Sequence, residues 1–297
     1  MTRTAFIAIV GRPNVGKSTL MNALLGEKVA IVSNKPQTTR NRIMGILTKG
    51  EDQYVFLDTP GIHKAKNKLG SYMMKSVRQS MGSADGVILI AEAGREPGEI
   101  EKNVCEQLTK SELPAILVLN KIDLVNREQL AQTITQYADL HDFKAFVPVS
   151  ALKEKNISDV LEEASAFLYE GDWFFDGDMI TDQPEKQIAA EIIREKLLRT
   201  LSNEIPHGTA VVVEEFKETE DLLSIRAEIY CEKASHKGII VGKGGETLKR
   251  IGTYAREDME RFFGVKVYLN LWVKVKEKWR DSEISLNNLG FNPKELN

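Results

Sequence analysis

The chain has 297 residues, which is long enough for about one to two domains with buried cores. Its 42% hydrophobic content, 28% charged content and isoelectric point near 6.0 argue against disorder, a fibrous chain or a globally basic nucleic-acid binder. Two distant cysteines, Cys105 and Cys231, support neither a disulfide framework nor a zinc site, and no apolar stretch approaches the ~20 residues of a membrane span.

From residue 4 to about 168, short β-branched runs alternate with amphipathic helical patterns. The runs are "TAFIAIV", "YVFLD", "GVILIAE", "AILVLN" and "AFVPVS". This alternation is typical of repeated βαβ units that form a mostly parallel sheet, whose ligands bind at the carboxyl ends of the strands.

The first motif is "GRPNVGKS", Gly11 to Ser18, which matches GxxxxGK[ST] between an apolar strand and a helical segment. Glycines let main-chain N–H groups approach phosphate oxygens, and the helix N-terminus adds partial positive charge. Lys17 is predicted to contact the β- and γ-phosphates, and the Ser18 hydroxyl to bind Mg²⁺. The predicted nucleotide contacts in this loop are Gly11, Arg12, Pro13, Asn14, Val15, Gly16, Lys17, Ser18 and Thr19.

Two further segments follow the phosphate loop. The polar run "NKPQTTRNR" suits a loop that orders when a threonine reaches Mg²⁺ and the γ-phosphate. We favour Thr39 for this role and keep Thr38 as the alternative. In "DTPG", Asp58 is predicted to hold the metal through a water and the Gly61 amide to meet the γ-phosphate. The predicted contacts of this second segment are Asp58, Thr59, Pro60, Gly61 and Ile62.

The motifs "NKID" and "SAL" each end a predicted strand and indicate guanine. The Asp123 carboxylate can accept from N1–H and the 2-amino group, whereas adenine presents an unprotonated N1. Such a site rejects the wrong base by roughly 10⁴ to 10⁵, because buried polar groups are left unpaired. Lys121 is predicted to cover the base, Asn120 to tie the loops together, and the Ala151 amide, beside Ser150, to donate to guanine O6.

The position after Gly61 is an isoleucine, which cannot orient a water molecule. Catalysis is therefore predicted to rest on metal charge and backbone positioning, with slow intrinsic turnover. Asn14 is a candidate to hold a monovalent cation, K⁺, beside the phosphates, and the alternative is that it only shapes the loop. The predicted catalytic residues are Lys17, Thr39, Gly61 and Asn14.

The acidic stretch "EGDWFFDGDMITDQPE" interrupts the βαβ rhythm. We interpret residues 171–184 as a linker, which the aromatic residues Trp173, Phe174 and Phe175 pin to a domain. The nucleotide-binding domain then spans residues 1–170 and a second domain spans 185–281. Residues 282–297 are predicted to form an irregular tail.

The second domain has the order helix, strand, strand, helix, helix, strand, with a GxxG turn in "GIIVGKGGETLKRI". Such a turn admits a sugar-phosphate backbone and can clamp about four nucleotides of RNA. Residues 233 to 280 carry twelve Lys/Arg against five Asp/Glu, which makes one face basic. Trp272 and Trp279 are candidates for base stacking, with core packing favoured for Trp272. The predicted RNA contacts are Gly242, Lys243, Gly244, Gly245, Lys249, Arg250, Lys274 and Lys276.

The order "GRPNVGKS", "PQTTR", "DTPG", "NKID", "SAL" and "IIVGKGG" resembles the Era family of bacterial GTPases over nearly the whole chain. The resemblance implies an α/β P-loop NTPase domain of the Ras-like type, a G domain, followed by a smaller α+β KH domain of type II. It implies GTP/GDP and Mg²⁺ as ligands, and binding to 16S rRNA near its 3′ end during small (30S) subunit maturation.

The same resemblance implies a cytoplasmic protein with peripheral inner-membrane contact and no integral membrane segment, and we expect a monomer. The mechanism that we expect is a switch in which GTP and Mg²⁺ order the loops around Thr39 and Gly61 and thereby favour RNA binding. The alternative function is a nucleotide-regulated protein scaffold with incidental hydrolysis. A small-molecule P-loop kinase fits poorly with "NKID".

Overall fold

A computed structural model of the chain describes residues 1–291. These residues divide into two compact units. The first unit comprises Met1–Lys64 and Met73–Asp182, and the second comprises Ala65–Tyr72 and the chain from Gln183 onward. No helix among the described residues is long and apolar enough to span a membrane.

The first unit contains a sheet of seven strands, ordered β2-β3-β1-β4-β5-β6, with the short β7 pairing beside the start of β1. The neighbours β3, β1, β4, β5 and β6 are parallel, whereas β2 and β7 are antiparallel to their partners. The strands are β1 (Arg3–Val10), β2 (Ile43–Lys49), β3 (Asp52–Asp58), β4 (Gly86–Glu92), β5 (Ala115–Asn120), β6 (Phe146–Pro148) and β7 (Tyr169–Glu170). The parallel strands agree with the predicted runs, and β2 and β7 were not predicted.

Helices cover both faces of this sheet, which explains why its central strands are apolar at nearly every position. Along β4, Ile88 and Ile90 join one buried cluster while Val87 and Leu89 join another. The helices are α1 (Lys17–Leu25), α2 (Lys68–Gly82), α3 (Glu99–Ser111), α4 (Arg127–Ala138) and α5 (Ile157–Ala164). Only the part of α2 from Met73 onward belongs to this unit. The motifs "GRPNVGKS", "DTPG", "NKID" and "SAL" lie at or beyond the carboxyl ends of parallel strands. The loop with Thr39 instead precedes the antiparallel β2, whose first residue, Ile43, pairs with Asp58 at the end of β3.

The predicted linker lies along strands of the first unit. The indole N–H of Trp173 donates to the main-chain oxygen of Glu51 (3.1 Å). The main-chain N–H groups of Phe174 and Phe175 each donate to Oε1 of Gln53. The side-chain amide nitrogen of Gln53 donates in turn to the main-chain oxygen of Phe175 (2.8 Å). The prediction that these aromatic residues pin the linker is therefore confirmed.

The second unit contains a sheet of three strands ordered β10-β9-β8. Its elements are α6 (Glu185–Thr200), β8 (Ala210–Glu218), β9 (Leu222–Cys231), α7 (Ala234–Val241), α8 (Glu246–Phe263) and β10 (Lys266–Val275). The helices pack on one face of the sheet. The fully buried Ile240 and Ile251 lie in that core, with Leu248 packed against it, as predicted for the helices around the GxxG turn.

The prediction of an irregular tail after residue 281 is wrong for its first part. A short helix, α9 (Glu283–Asn288), begins after Ser282, whose side chain accepts a hydrogen bond from the Ser285 amide. Leu286 is 1% exposed, and Phe291 stacks on the fully buried Trp279. This apolar packing orders the segment, which has no long helical periodicity of its own. Residues 292–297 of the predicted tail lie outside the described residues.

Candidate functional site

The phosphate loop connects the end of β1 to the first turn of α1. Gly16 has φ +106°, and a Cβ there would lie 2.2 Å from Nδ2 of Asn120, so only glycine permits this close approach. The Lys17 ammonium is buried and donates to the main-chain oxygens of Gly11 (3.3 Å) and Arg12 (2.8 Å). Burial lowers the pKa of Lys17 to about 8. A phosphate group would stabilise this desolvated cation.

Three side-chain oxygens from separate segments meet beside Lys17. Ser18 Oγ lies 2.6 Å from Oδ2 of Asp58 and 2.9 Å from Oγ1 of Thr39, which is itself 3.3 Å from the same carboxylate oxygen. Asp58 is 0% exposed, and its Oδ1 has no hydrogen-bond partner among the described residues. Burial raises the pKa of Asp58 to about 6, against the opposing effects of Lys17 and the two hydroxyls.

A buried carboxylate with an unpartnered oxygen is costly unless a cation compensates it. Hydroxyl and carboxylate oxygens are the ligand types that Mg²⁺ takes in proteins. The three predicted metal residues, Ser18, Thr39 and Asp58, therefore fit a magnesium ion by chemistry and by proximity.

The structure separates the two threonines between which the sequence left a choice. The Thr38 hydroxyl donates to the main-chain oxygen of Lys35 (2.6 Å), within its own loop. Only Thr39 lies against Ser18 and Asp58, where it is 6% exposed. The geometry therefore agrees with the preferred candidate.

Asn120 connects the phosphate loop to the "SAL" loop, as predicted. Its Nδ2 donates to the main-chain oxygen of Val15 (2.7 Å), and its Oδ1 accepts from the Ala151 amide (2.9 Å). The second bond differs from the prediction, because the Ala151 N–H that was expected to donate to guanine O6 has a protein acceptor here. Asn120 is buried, so the amide satisfies two main-chain groups that would otherwise be desolvated without partners.

Asp123 is oriented by its neighbours at the predicted base site. The Ser150 hydroxyl donates to Oδ1 (2.7 Å), and the Lys153 ammonium lies 3.5 Å from Oδ2. The hydrogen bond from Ser150 holds the pKa of Asp123 below its usual value, so the carboxylate stays ionised as an acceptor. Lys121 has φ +67° and pairs with Glu92 at 3.1 Å.

Two residues at the base site, Glu92 and Lys153, were not predicted from the sequence. Glu92 ends β4 in register with Asn120 on β5, so strand pairing brings it to the base site. Its only sequence signal is its position at the carboxyl end of a parallel strand. Lys153 stands two residues after "SA" in a short helical turn, and no motif marks it.

The loop after β3 lies against the phosphate loop. A Cβ on Gly61 would come within 2.7 Å of the main chain of Pro13, and the Ile62 amide donates to the Gly11 oxygen (3.0 Å). Nδ1 of His63 lies 2.9 Å from the Gly61 oxygen, so the Gly61–Ile62 peptide is held at both its N–H and its C=O. The Ile62 side chain packs against a buried apolar cluster. The segment therefore presents main chain to the nucleotide cavity, as predicted for a site without a water-orienting glutamine.

Two predicted nucleotide-binding residues contact other segments of the first unit. The amide nitrogen of Asn14, at φ +65°, donates to the main-chain oxygen of Asn34 (2.8 Å). Nε of Arg12 lies 2.5 Å from the carboxylate of Glu101 on α3. These contacts fix the phosphate loop to the loop that carries Thr39 and to the neighbouring helix. Four residues that line the nucleotide cavity and precede Thr39 were also not predicted, namely Ile31, Val32, Ser33 and Gln37.

The GxxG turn connects α7 to α8 in the second unit. Gly242, Gly244 and Gly245 all have positive φ, at +76°, +60° and +83°. A Cβ on Gly242 would lie 2.3 Å from the Thr247 hydroxyl, whereas a Cβ on Gly244 or Gly245 would meet nothing within 4 Å. The middle of the turn, with Lys243, is therefore open to solvent, as close approach of a nucleic-acid backbone requires.

A groove of about 390 Å³ runs from this turn between α8 and β10. Lys249, a predicted RNA contact, lies in this groove. Gly252, Thr253 and Arg256 were not predicted, although their recurrence on one face of α8 with Lys249 is readable from the sequence. The groove is lined by Gly245, Leu248, Lys249, Gly252, Thr253, Arg256, Leu269 and Leu271.

Three predicted RNA contacts lie outside the groove, and their contact with RNA stays a prediction. Arg250 lies on the other side of α8, in a separate depression with Lys196 and Tyr254, because one residue turns a helix by about 100°. Lys274 and Lys276 do not line the groove. The preference for core packing of Trp272 is wrong, because this residue is 59% exposed. Its neighbours in β10 alternate between the two faces of the sheet, so Trp272 and Lys274 point away from the helices.

Comparison with known proteins is consistent with this geometry. A family model described as "50S ribosome-binding GTPase" matches residues 6–121, and one described as "KH domain" matches residues 204–280. GTPase Era of Ruminiclostridium cellulolyticum is 51% identical over 290 residues, covering 97% of each chain. GTPase Era of Clostridium kluyveri is 50% identical over 292 residues, covering 98% of this chain and all of the relative.

Two solved structures are similar over nearly the entire chain. An Era variant from Aquifex aeolicus bound to GDP and AlF4⁻ gives a TM-score of 0.95 at 37% identity, covering 98% of this chain and 100% of the other. Era in complex with MgGDPNP and nucleotides 1506–1542 of 16S ribosomal RNA gives a TM-score of 0.94 at the same identity and coverage.

Proposed function

The chain belongs to the Era family of GTPases, and we propose that it is a Mg²⁺-dependent GTP-hydrolysing switch that binds 16S rRNA near its 3′ end. In this role it assists assembly and maturation of the small (30S) ribosomal subunit. The observation that carries the proposal is the convergence of Ser18, Thr39 and Asp58 within 2.6–3.3 Å of one another beside the buried Lys17.

In hydrolysis, the protein positions the triphosphate and supplies positive charge. A bound Mg²⁺ would be held by Ser18, Thr39 and Asp58 and would neutralise negative charge on the phosphates. Lys17 contributes a desolvated ammonium, and the Gly61 amide stabilises the γ-phosphoryl oxygens as charge develops on them. Because Ile62 offers no polar group to a water molecule, we expect slow intrinsic turnover.

The switch follows from the position of Thr39. This residue belongs to an irregular loop, and its hydroxyl contacts Ser18 and Asp58 across the site. Loss of the γ-phosphate removes a ligand that favours this position of the loop. If RNA affinity depends on the nucleotide, linkage requires RNA to change nucleotide affinity by the same factor.

For the RNA, the choice of 16S rRNA rests on the relative solved with nucleotides 1506–1542, which matches both units of this chain. The family model whose description names the 50S particle matches only residues 6–121, outside the GxxG groove. The open turn and the adjoining groove suit a single strand whose backbone passes the glycines. We therefore assign the rRNA contact to the KH domain.

We further propose domain boundaries and a cellular location. The boundaries are a G domain at residues 1–170, a linker at 171–184 and a KH domain at 185–281. The start of the KH domain is supported by the division of the units between Asp182 and Gln183 and by the start of α6 at Glu185, whereas most of the linker belongs to the first unit. A cytoplasmic location with peripheral inner-membrane contact follows from the family resemblance alone. Flotation of the protein with anionic vesicles tests the membrane contact.

One experiment tests the switch. The affinity of the protein for an RNA of nucleotides 1506–1542 is measured with GDP and with a non-hydrolysable GTP analogue, each with Mg²⁺. We expect the two affinities to differ by about tenfold, which corresponds to a typical coupling free energy. Equal affinities in both nucleotide states would contradict the switch.

A salt series separates RNA binding from the alternative of a protein scaffold. Phosphate contacts release counterions, so the logarithm of the RNA affinity should fall linearly with the logarithm of salt concentration. An RNA affinity that is independent of salt, together with capture of the protein by ribosomal proteins alone, would favour the scaffold.

A further inference from the structure

The three-stranded sheet of the second unit has one face that the helices leave exposed. On β10, Val267 and Val273 are buried under the helices at 5% and 7% exposure, and side chains alternate between faces along a strand. The even-numbered residues from Lys266 to Lys274 therefore share the opposite face. We call this surface the open sheet face and define it by Tyr268, Trp272 and Lys274 on β10 and Arg226 on β9.

Two large aromatic side chains stand on the open sheet face. Tyr268 is 58% exposed and Trp272 is 59% exposed, although a tryptophan is usually largely buried. They are four residues apart on one strand, which separates them by roughly 13 Å. That distance allows two bases, from nucleotides that are not adjacent, to stack one on each ring.

Charge on the same face favours an anionic ligand. In the strand register, Asn270 lies opposite Arg226, Trp272 opposite Glu228, and Lys274 opposite Tyr230. Glu228 pairs with Lys274, and Glu215 on β8 pairs with Arg226 and Lys217. Glu214 also acts electrostatically on Tyr230, and the Lys276 ammonium lies 5.6 Å from the centre of the Tyr230 ring. The five cations around the face, Lys217, Arg226, Lys266, Lys274 and Lys276, therefore outnumber the three carboxylates of Glu214, Glu215 and Glu228.

We propose that the open sheet face binds a second segment of single-stranded RNA, in addition to the segment held at the GxxG groove. Bases stack on Tyr268 and Trp272. Arg226, which lies opposite Asn270, contacts a phosphate between the two bases, and Lys274 contacts a phosphate beyond Trp272. The groove is formed by Leu269 and Leu271 of the same strand on its other face, so the two surfaces do not overlap. This inference rests on the proposed function, because it assigns a further contact to the same RNA.

The test uses the full-length protein and an RNA of nucleotides 1506–1542 of 16S ribosomal RNA. Trp272→Ala should weaken RNA affinity about tenfold, which is within the range of a single base–aromatic stack, whereas Trp272→Phe should retain most of the affinity. Ile284→Ala serves as the matched control, because it truncates a side chain of the same unit that is 75% exposed and lies outside the face. Thermal unfolding should be unchanged in all three variants.

Fluorescence provides a second readout that a purely structural role would not give. Trp279 is fully buried and Trp173 is partly buried, so Trp272 is the tryptophan most accessible to a bound base. RNA should quench tryptophan emission of the wild type, and this quenching should be lost in Trp272→Ala. The titration should give the same affinity as the direct binding measurement.

Different results separate this inference from the proposed function. If the wild type binds the RNA, Gly244→Asp abolishes binding and Trp272→Ala binds within twofold of wild type without loss of quenching, the second contact is wrong and the KH assignment stands. If the wild type does not bind this RNA at all, both the inference and the proposed rRNA function fail.

Discussion

The nucleotide site and the GxxG groove differ in how far contacts within the protein fix their functional groups. In the nucleotide site, Ser18, Thr39 and Asp58 contact one another, and Asn120 bonds two loops. In the groove, Lys249 and Arg256 project from one helix face, and Gly244 and Gly245 of the turn meet open space. Removal of one group from a preorganised site should therefore cause a large loss of activity. On a surface that binds through many separate contacts, removal of one contact should cause a smaller loss of affinity.

The comparison is tested most strongly at the two adjacent threonines. Thr39→Ala should lower the rate of GTP hydrolysis about 100-fold, because it removes the hydroxyl beside Ser18 and Asp58. Thr38→Ala is the matched control and should change the rate less than about threefold, since its hydroxyl bonds within its own loop. Steady-state measurements of kcat and KM decide the point, and equal losses in both variants would contradict the metal assignment.

The second test concerns the turn. Gly244→Asp should weaken RNA binding by about tenfold or more, because it places a carboxylate where the phosphate backbone passes. Gly264→Asp carries the same charge change at φ +73°, also with open space around its Cβ, but at the opposite end of α8. Filter binding should separate the two variants while GTP hydrolysis stays the same in both. A similar loss of RNA affinity in both would remove the turn from the RNA site.

The third test asks whether a monovalent cation supplies charge to the nucleotide site. We expect hydrolysis about fivefold faster in KCl than in NaCl at equal ionic strength, with the difference lost in Asn14→Ala, an effect of ~1 kcal/mol on the barrier. Asn14 donates its amide nitrogen to Asn34, and its carbonyl oxygen is the atom that would bind the cation. Identical rates of hydrolysis in the two salts would contradict the cation site and would favour the alternative, in which Asn14 only shapes the phosphate loop.

The smallest effects are expected at the base site. Ser150→Ala should weaken GTP affinity by several-fold, because a hydrogen bond to the Asp123 carboxylate is lost. Lys153→Ala should change it by less than about twofold, since this ammonium is 65% exposed and 3.5 Å from the carboxylate. Fluorescence titration with a labelled guanine nucleotide measures both. A larger loss of GTP affinity in Lys153→Ala than in Ser150→Ala would contradict the conclusion that Ser150 is the main partner of Asp123.

The same contrast explains which features the sequence could predict. The nucleotide site depends on a backbone geometry that needs particular residues at fixed spacing, so "GRPNVGKS", "DTPG" and "NKID" identify Lys17, Asp58 and Asp123 directly. Glu92 was missed because strand pairing, which a linear motif does not encode, brings it to Lys121.

In the KH unit, the GxxG motif locates only the turn. The lining of the groove depends on which side of α8 each residue faces, and Lys249 and Arg250 are adjacent in sequence but lie on different sides. Trp272 was assigned to the core because tryptophan is usually buried, although its alternation with the buried Val273 places it on the opposite face of the sheet.

The central claim is that Asp123 recognises guanine while the loop around Lys17 binds its triphosphate. Isothermal titration calorimetry of the purified protein with Mg²⁺ and non-hydrolysable analogues of GTP and ATP tests it most directly. We predict binding of the GTP analogue and an affinity for the ATP analogue that is lower by roughly 10⁴. Equal affinity for both nucleotides, or no binding of either, would contradict the claim.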